Sequence, residues 1–169
     1  MNSWEGVIGF CRESLGLPES VGMEISPLEG RGSDRTFFRL KWNRKGSAIL
    51  VRYDPKRVEN TYYAEIAAFL REIDIPAPRL IRHDTAACLL IMEDLGDDDL
   101  WSFRKTSWEN RRPLYQKTLT ILHRLHSFSE KDFPSNPPVL RDRFLIGMKR
   151  DRAASDMRPY PLPNVLCRN

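Results

Sequence analysis

PLEGRGSDRTFFRL, residues 27–40, places two glycines one residue apart directly before an alternating run of side chains. Gly30 and Gly32 suit a tight turn, because glycine adopts positive φ without steric cost. Phe38 and Leu40 alternate with charged neighbours, which predicts a strand immediately after the turn. A glycine pair between strands either turns a hairpin or lets backbone N–H groups approach a phosphate. Only the neighbouring elements can distinguish these two uses.

The periodicity of the remaining chain predicts three helices and five strands. Apolar residues at helical spacing indicate the helices, and short alternating or apolar runs between turn residues indicate the strands. The predicted helices cover residues 4–15, 62–73 and 108–127, and the predicted strands cover residues 23–28, 38–42, 47–53, 79–83 and 88–92. Antiparallel strands interrupted by one helix favour an α+β fold over a parallel doubly wound sheet.

The composition excludes several classes of protein. With 41% hydrophobic and 30% charged residues among 169, the chain is typical of globular domains. Its longest apolar run, residues 88–92, is too short to cross a bilayer. The net charge of +4 allows anionic ligands without requiring nucleic acid, and because basic residues form no face interleaved with aromatics, we expect no nucleic-acid partner. Three scattered cysteines, Cys11, Cys88 and Cys167, predict no disulfide framework and favour a cytoplasmic location.

Five strands with one helix after the third resemble the layout of a protein-kinase-like amino-terminal lobe. In that layout a glycine turn covers phosphates, a strand cation neutralises them and a helix carboxylate pairs with the cation. Arg52, which shares a strand face with Ala48 and Leu50, is the candidate cation, and Glu65 is its predicted partner. The bend after the fifth strand offers backbone groups to an adenine. The candidate nucleotide-binding residues are Gly30, Gly32, Ser33, Asp34, Arg35, Arg52, Glu65, Met92, Glu93, Asp94 and Leu95.

Each of these features also has a purely structural explanation. A lone glycine pair is commonly just a hairpin turn, and an exposed strand arginine is commonly a solvated charge. Arg52 also replaces the usual lysine, and a guanidinium is no simple substitute for a compact ammonium between phosphates. The consecutive acidic residues 97–99 cannot converge on one metal ion, so we predict that they interact with a helix N-terminus instead.

Four motifs, EGRGSDRTFFRL, AILVRYDP, YYAEIAAFL and LLIMEDLGDDDL, together resemble the aminoglycoside phosphotransferase/choline kinase superfamily. The bacterial branch with the anomeric N-acetylmuramate and N-acetylglucosamine kinases is the most similar. The resemblance covers residues 23–127, the amino-terminal half of such enzymes. It implies ATP-dependent phosphoryl transfer to a small-molecule hydroxyl, with Mg²⁺ bridging the phosphates. Sugar, amino sugar, aminoglycoside and choline-like acceptors stay open, and the branch favours a sugar.

The catalytic loop that this resemblance implies is not found. In the superfamily an H-x-D-x-x-x-x-N loop and a further aspartate, which serve the acceptor hydroxyl and Mg²⁺, follow the helix that ends here near residue 127. No histidine follows that residue, so we expect no catalytic residue and no metal ligand in this chain. We predict a nucleotide-binding lobe over residues 1–95 and a hinge with the start of a helical lobe over 96–133. An irregular tail, truncated or frameshifted, is predicted over 134–169.

Three functions stay open at this level. The first is the ATP-binding portion of a small-molecule phosphotransferase that is catalytically incomplete as given. The second is a pseudokinase-like binding module that a partner chain completes. The third is an unrelated basic α+β domain that binds an anionic partner. In each of the first two, the apolar stripe of the helix at residues 108–127 would lack its usual covering lobe, which predicts self-association.

Overall fold

The computed structural model describes residues 3–29, 35–43 and 46–129. The backbone divides into two units, Met1–Ser127 and Phe128–Asn169, and the first contains nearly all of the described residues. The predicted tail over residues 134–169 therefore lies outside the described part of the chain. The domain boundaries expected after residues 95 and 133 stay predictions.

The predicted elements are all present, with ends shifted by at most two residues. The helices are α1 (Trp4–Leu15), α2 (Tyr63–Glu72) and α3 (Trp108–His126). The strands are β1 (Met23–Leu28), β2 (Thr36–Trp42), β3 (Gly46–Arg52), β4 (Leu80–Asp84) and β5 (Leu89–Glu93). One short 3-10 turn, Val58–Asn60, leads into α2.

The five strands form one antiparallel sheet in the order β1-β2-β3-β5-β4, which confirms the predicted α+β fold. β3 lies at the centre and pairs with β2 on one side and β5 on the other. Ile49 lies opposite Met92, and Arg52 lies opposite Leu89. Because residues directly opposite in an antiparallel pair point to the same face, this register assigns each side chain of β3 to one face of the sheet.

A different helix covers each face of the sheet. On the face that we call the α1 face, Val7 and Cys11 of α1 pack on alternate residues of three strands. The strand residues of that cluster are Leu40, Ala48, Leu50, Leu89 and Ile91. On the opposite face, which we call the α2 face, Tyr63 of α2 packs on Ile49, Val51 and Leu90. Double coverage explains why residues 48–51 are all buried and read as a continuous apolar run.

The ends of α1 follow ordinary capping chemistry. The Ser3 hydroxyl accepts a hydrogen bond from the Gly6 N–H at 3.3 Å, which satisfies one of the unpaired amides of the first turn. Gly16 ends the helix at φ 63°, a left-handed conformation that glycine adopts without a Cβ clash. Val7 and Cys11, one helical turn apart, are therefore held against the sheet.

Helix α3 differs from the other two because none of its residues is buried. Ser107 stands at the predicted N-cap position, but its side chain makes no capping hydrogen bond to the backbone. Tyr115, Leu119 and Leu122 form an exposed apolar stripe at helical spacing. Arg124 anchors the carboxyl end, where its guanidinium pairs with the Asp74 carboxylate.

Candidate functional site

A groove opens on the α2 face where β5 leaves the sheet. Its cavity volume is about 330 Å³. Apolar side chains from four strands and Pro78 form one part of the lining, and the bend after β5 forms the other. The lining residues are Leu28, Phe37, Arg39, Ile49, Pro78, Met92, Glu93, Asp94, Leu95, Gly96, Asp97, Asp98 and Asp99. Apolar walls beside an open stretch of backbone suit a flat, partly polar ring.

An arginine of β2 holds the bend in place. The Arg39 Nε lies 2.9 Å from Oδ2 of Asp94, and its Nη1 lies 2.7 Å from Oδ1 of Asp97. The Arg39 and Asp94 side chains are only 11% and 6% exposed, whereas the Asp97 side chain is 79% exposed. We call these three residues the hinge cluster. Through these contacts, Arg39 of β2 is connected to the chain segment that follows β5.

Asp94 also shapes the backbone of the bend. Its Oδ1 accepts a hydrogen bond from the Gly96 N–H at 3.0 Å, and Gly96 has φ 84°, where glycine is strongly favoured. Burial opposes ionisation of the Asp94 carboxyl. The hydrogen bonds from Gly96, Arg39 and Ser47 outweigh that effect and hold the pKa of Asp94 below its usual value. The carboxylate is therefore ionised at neutral pH and serves the bend, not a ligand.

The backbone N–H groups of the bend differ in whether they are already hydrogen-bonded. The Glu93 N–H donates a hydrogen bond to the Arg79 carbonyl at 2.9 Å, so it is not available to a ligand. The Leu95 N–H, in contrast, donates no hydrogen bond to any group within residues 3–29, 35–43 and 46–129. The Leu95 side chain is exposed and Leu95 lines the groove. The amide of this lining residue therefore has no acceptor among the described residues.

The acidic run that follows the bend is arranged differently from our expectation. Asp97 pairs with Arg39, and Asp99 accepts hydrogen bonds from the backbone N–H and hydroxyl of Ser102 at 2.8 and 2.9 Å. No helix begins at these residues, because α3 starts only at Trp108. The prediction that residues 97–99 stabilise a helix N-terminus is therefore wrong: the Asp97 carboxylate belongs to the hinge cluster, and the Asp99 carboxylate closes a local turn with Ser102.

Arg52 and Glu65 are not brought together. Arg52 lies opposite Leu89, whose side chain belongs to the α1-face cluster, so Arg52 points to the side of the sheet away from the groove. Among the described residues, no ion pair joins Arg52 to Glu65. The predicted ion pair is therefore not formed in this structure, and the roles of Arg52 and Glu65 in nucleotide binding stay predictions.

Glu65 instead lies near a partly buried tyrosine–histidine pair. The Tyr53 hydroxyl oxygen is 2.7 Å from Nε2 of His83. Burial, followed by the charges of Cys88, Asp84 and Glu65, raises the pKa of Tyr53 to about 12. Burial lowers the pKa of His83, although Glu65 and Asp84 oppose that effect. At neutral pH the phenol is therefore protonated and the imidazole neutral, and the two groups share a hydrogen bond whose direction depends on the imidazole tautomer.

Arg35 is held beside the amino end of α2. Its Nε–H donates to Oδ1 of Asn60 at 2.8 Å, and its guanidinium lies 5.8 Å from the centroid of the Tyr63 ring. The Tyr63 hydroxyl donates in turn to the sulfur of Met92, 3.2 Å away, in the groove wall. Arg35 is thus connected to the groove through an aromatic side chain of α2.

The structure describes only some of the residues that the sequence predicts for the nucleotide site. Gly30, Gly32, Ser33 and Asp34 lie outside the described residues. Met92, Glu93, Asp94 and Leu95 all line the groove. Two polar residues of the site, Arg39 and Asn60, were missed. The signal for Arg39 was its position two residues from Phe37, which places both on the same face of β2.

Comparison with known proteins identifies the family. A sequence model of the phosphotransferase enzyme family (APH) matches residues 24–165, most of the chain. The chain belongs to the phosphotransferase enzyme family. The match continues past residue 127, where we expected the resemblance to end, and it excludes the alternative of an unrelated basic domain. No curated protein sequence matches significantly.

A solved structure supports the same assignment at the level of fold. The structure of the streptomycin–ATP–APH(2")-IIa ternary complex superposes with a TM-score of 0.55 and 16% sequence identity. The alignment covers 92% of this chain and 54% of that one, so the chain spans about half the length of this structural relative. The antiparallel sheet with its helices matches the amino-terminal lobe of the kinase-like aminoglycoside phosphotransferase fold.

The described residues form neither a cluster of metal ligands nor a membrane span. Within the described residues, no group of three or more His, Cys, Asp or Glu side chains is arranged to hold a metal ion. None of the described helices is long and apolar enough to span a membrane.

Proposed function

We propose that this chain is the nucleotide-binding portion of an ATP-dependent small-molecule phosphotransferase. The observation that carries the proposal is the groove beside the bend after β5. There, Leu95 lines a largely apolar cavity, and its N–H donates no hydrogen bond to any of the described residues. In this proposal the adenine ring lies between Leu28, Ile49 and Met92 and accepts a hydrogen bond from Leu95.

The rigidity of the bend supports this assignment. Ordering a flexible loop around a ligand costs conformational entropy, which weakens binding. The hinge cluster orders the bend before a ligand binds, because the Asp94 carboxylate contacts both the Arg39 guanidinium and the Gly96 N–H. The donor at Leu95 is consequently presented in one conformation before a ligand arrives.

The phosphates would be bound by the turn that the sequence predicts at Gly30 and Gly32. The proposed nucleotide-binding residues of that turn are Gly30, Gly32, Ser33 and Asp34. Mg²⁺ would accompany ATP as in related kinases, with its ligands supplied outside the described residues. We propose a sugar, amino sugar or aminoglycoside as the acceptor, and a cytoplasmic location follows from the scattered cysteines.

Catalytic incompleteness is part of the proposal, because no histidine follows residue 127 and an H-x-D loop is therefore missing from the sequence given. The second candidate is a pseudokinase-like module that is completed by another chain. The exposed stripe of α3 favours association of some kind, since three neighbouring apolar side chains of one helix lie open to solvent. We propose that this stripe, Tyr115, Leu119 and Leu122, mediates self-association.

The decisive experiment measures nucleotide binding with a variant that fills the groove. Leu28→Trp places an indole in the proposed adenine space, whereas Ile8→Trp adds the same side chain on the α1 face. Isothermal titration with ATP should show binding for the wild type and for Ile8→Trp and none for Leu28→Trp. Circular dichroism checks that each variant is folded. Equal ATP binding by both variants, or none by the folded wild type, would overturn the proposal.

A phosphotransfer assay then distinguishes the two candidates. The purified chain should bind ATP without transferring phosphate to any member of a panel of sugars, amino sugars and aminoglycosides. Transfer that appears only after a second chain is added would identify the module completed by a partner. Transfer by the chain alone would contradict its catalytic incompleteness.

A further inference from the structure

A second cavity lies on the α1 face of the sheet, between α1 and the edge strand β1. Its volume is about 520 Å³, within the range of about 300–1,000 Å³ that is typical of small-ligand pockets. We call it the α1–β1 cavity, and the described residues that line it are Trp4, Ile8, Arg12, Met23, Ile25, Pro27 and Phe38. The groove beside the bend after β5 shares none of these residues.

The packing of α1 on the sheet explains why this space is open. Val7 and Cys11 are buried, and the cluster beneath them takes its buried strand residues from β2, β3 and β5. Trp4, Ile8 and Arg12 follow one another by one helical turn along a second stripe of α1. β1 is the edge strand next to β2, so it lies beyond the strands that the buried stripe covers. The second stripe of α1 and the α1 face of β1 therefore border the same gap.

The base of the cavity is fixed by the core. Met23, Ile25 and Phe38 are partly buried and pack against the α1-face cluster. The Trp4 ring contacts the Phe38 ring edge-on, with centroids 5.3 Å apart and an angle of 90° between the ring planes. Such edge-to-face contacts favour one ring geometry. A ligand would therefore enter a largely pre-formed space and would order few side chains, which keeps the entropic cost of binding low.

Two apolar side chains of the cavity are open to solvent. Trp4 is 49% exposed and Ile8 is 37% exposed. An apolar group bound between them would remove their surface from water, which is favourable. Because one of the two is an indole and Phe38 lies next to it, the lining suits a flat aromatic ring, which can stack on or pack edge-on against both.

Arg12 supplies the one charge among the described residues of the cavity. Its Nη1 donates to the carbonyl groups of Pro18 and Val21 at 2.8 and 3.0 Å. These neutral acceptors hold the guanidinium in place without balancing its charge, and its Nε and Nη2 donate to no described residue. Arg82, the neighbouring arginine beside α1, is instead paired with the Glu13 carboxylate at 2.9 Å. Within the described residues, no carboxylate pairs with Arg12.

We propose that the α1–β1 cavity binds a small aromatic carboxylic acid, with its ring against Trp4 and Phe38 and its carboxylate on Arg12. This inference goes beyond nucleotide binding and does not depend on it. A guanidinium offers N–H donors in a planar fork that matches the two oxygens of a carboxylate. The apolar remainder of the lining disfavours strongly hydrated anions such as phosphates, because it offers no hydrogen bonds in exchange for their water. A cationic ligand would be repelled by Arg12.

The test compares phenylpropionate with its neutral amide, phenylpropionamide, which carries the same ring. Binding is followed by the indole N–H signals of isotopically labelled protein in nuclear magnetic resonance titrations, and the signal that Trp4→Phe removes is that of Trp4. In the wild type the carboxylate should bind roughly ten- to hundredfold more tightly than the amide, the difference expected for charged hydrogen bonds. The Trp4 signal should shift with the ligand, whereas the signals of the exposed Trp101 and Trp108 should stay in place.

Three variants separate the ring contact from the charge. Ile8→Trp fills the cavity and should abolish binding of both ligands. Arg12→Gln should weaken phenylpropionate binding roughly ten- to hundredfold and change amide binding by less than about twofold. Arg82→Gln is the matched control, since this arginine also lies beside α1 but is paired with Glu13 and does not line the cavity; both affinities should be unchanged. If Arg12→Gln does not fold, Arg12→Lys keeps the charge and should retain the preference for the carboxylate.

Each opposite result overturns the inference. Equal wild-type affinities for the two ligands, or wild-type phenylpropionate affinity in a folded Arg12→Gln, would show that Arg12 does not bind the carboxylate. Equal shifts of the Trp4, Trp101 and Trp108 signals would indicate adsorption to exposed apolar side chains in general. Full binding by a folded Ile8→Trp would place the ligand elsewhere. A wild type without a saturable shift up to about 10 mM ligand would show that the cavity is no binding site for this class of compound.

Discussion

Replacement of the two acidic members of the hinge cluster should have very different consequences for stability. Asp94→Asn keeps the shape of the side chain and an oxygen for the Gly96 amide but removes the charge opposite Arg39. A hydrogen bond between charged groups contributes about 1.5–3 kcal/mol, and removal of one partner of a buried pair costs about 3–5 kcal/mol. Asp97 still contacts Arg39 in this variant. We therefore expect a loss near the lower end, about 2–3 kcal/mol.

Asp97→Asn is the matched control, because the same change is made in a carboxylate that contacts the same guanidinium. The Asp97 side chain is 79% exposed, compared with 6% for Asp94. Ion pairs in that environment contribute about 0–1 kcal/mol. Urea unfolding followed by circular dichroism measures both differences, and an unchanged slope would confirm that the unfolded states are comparable. Equal losses for the two variants would refute the argument from burial.

The pH dependence provides an internal check on the same variant. The folded pKa of Asp94 is lower than its unfolded value, so the carboxylate stabilises the fold fully above the unfolded pKa of about 3.9. That contribution is lost as the pH falls through the folded pKa. The stability difference between wild type and Asp94→Asn should therefore be constant near neutral pH and shrink below about pH 4. A difference that persists at lower pH would indicate lost packing rather than lost charge.

Three further predictions concern other parts of the chain. The pKa of His83 is lower in the folded state, so its stabilising contribution is complete above about pH 6.5 and is lost as the pH falls through the folded pKa. Between pH 7.5 and 5.5 the melting temperature should therefore fall less in His83→Gln than in the wild type. The glutamine amide can still form a hydrogen bond with Tyr53. Burial raises the pKa of the Cys11 thiol to about 11, so a thiol reagent should label Cys88 in the native protein and Cys11 only on unfolding. Leu119 is 62% exposed, and Leu119→Lys should reduce self-association measured by light scattering; a wild type that is already monomeric at high concentration would contradict this.

The fold was predictable because its signals are local. Strand alternation and the helical spacing of apolar residues are properties of short segments, and both survive in the structure with small shifts at the ends. The shared face of Ala48, Leu50 and Arg52 is one such local property, and it was predicted correctly. The side of the sheet that this face occupies depends on the packing of α1 and α2, and β3 alone carries no information about it.

The errors at the site have the same origin. Arg39 and Asp94 are far apart in sequence, and their contact depends on the order of β2, β3 and β5 in the sheet. The acidic run after the bend has the composition of a helix start, but tertiary contacts with Arg39 take priority over that local preference. Asn60 gave no sequence signal, since a single asparagine before a helix is an ordinary turn residue.

The division of the sheet into two faces determines what intrinsic fluorescence can report. Trp42 packs with the α1-face cluster and Trp4 contacts Phe38 on the same side, whereas Trp101 and Trp108 are exposed beyond the bend. None of the four tryptophans of the chain lines the groove. Tryptophan emission should therefore change when the protein unfolds or when the environment of α3 changes. It should change little when a ligand binds in the groove. An indole introduced at Phe37 would give the groove an optical signal of its own.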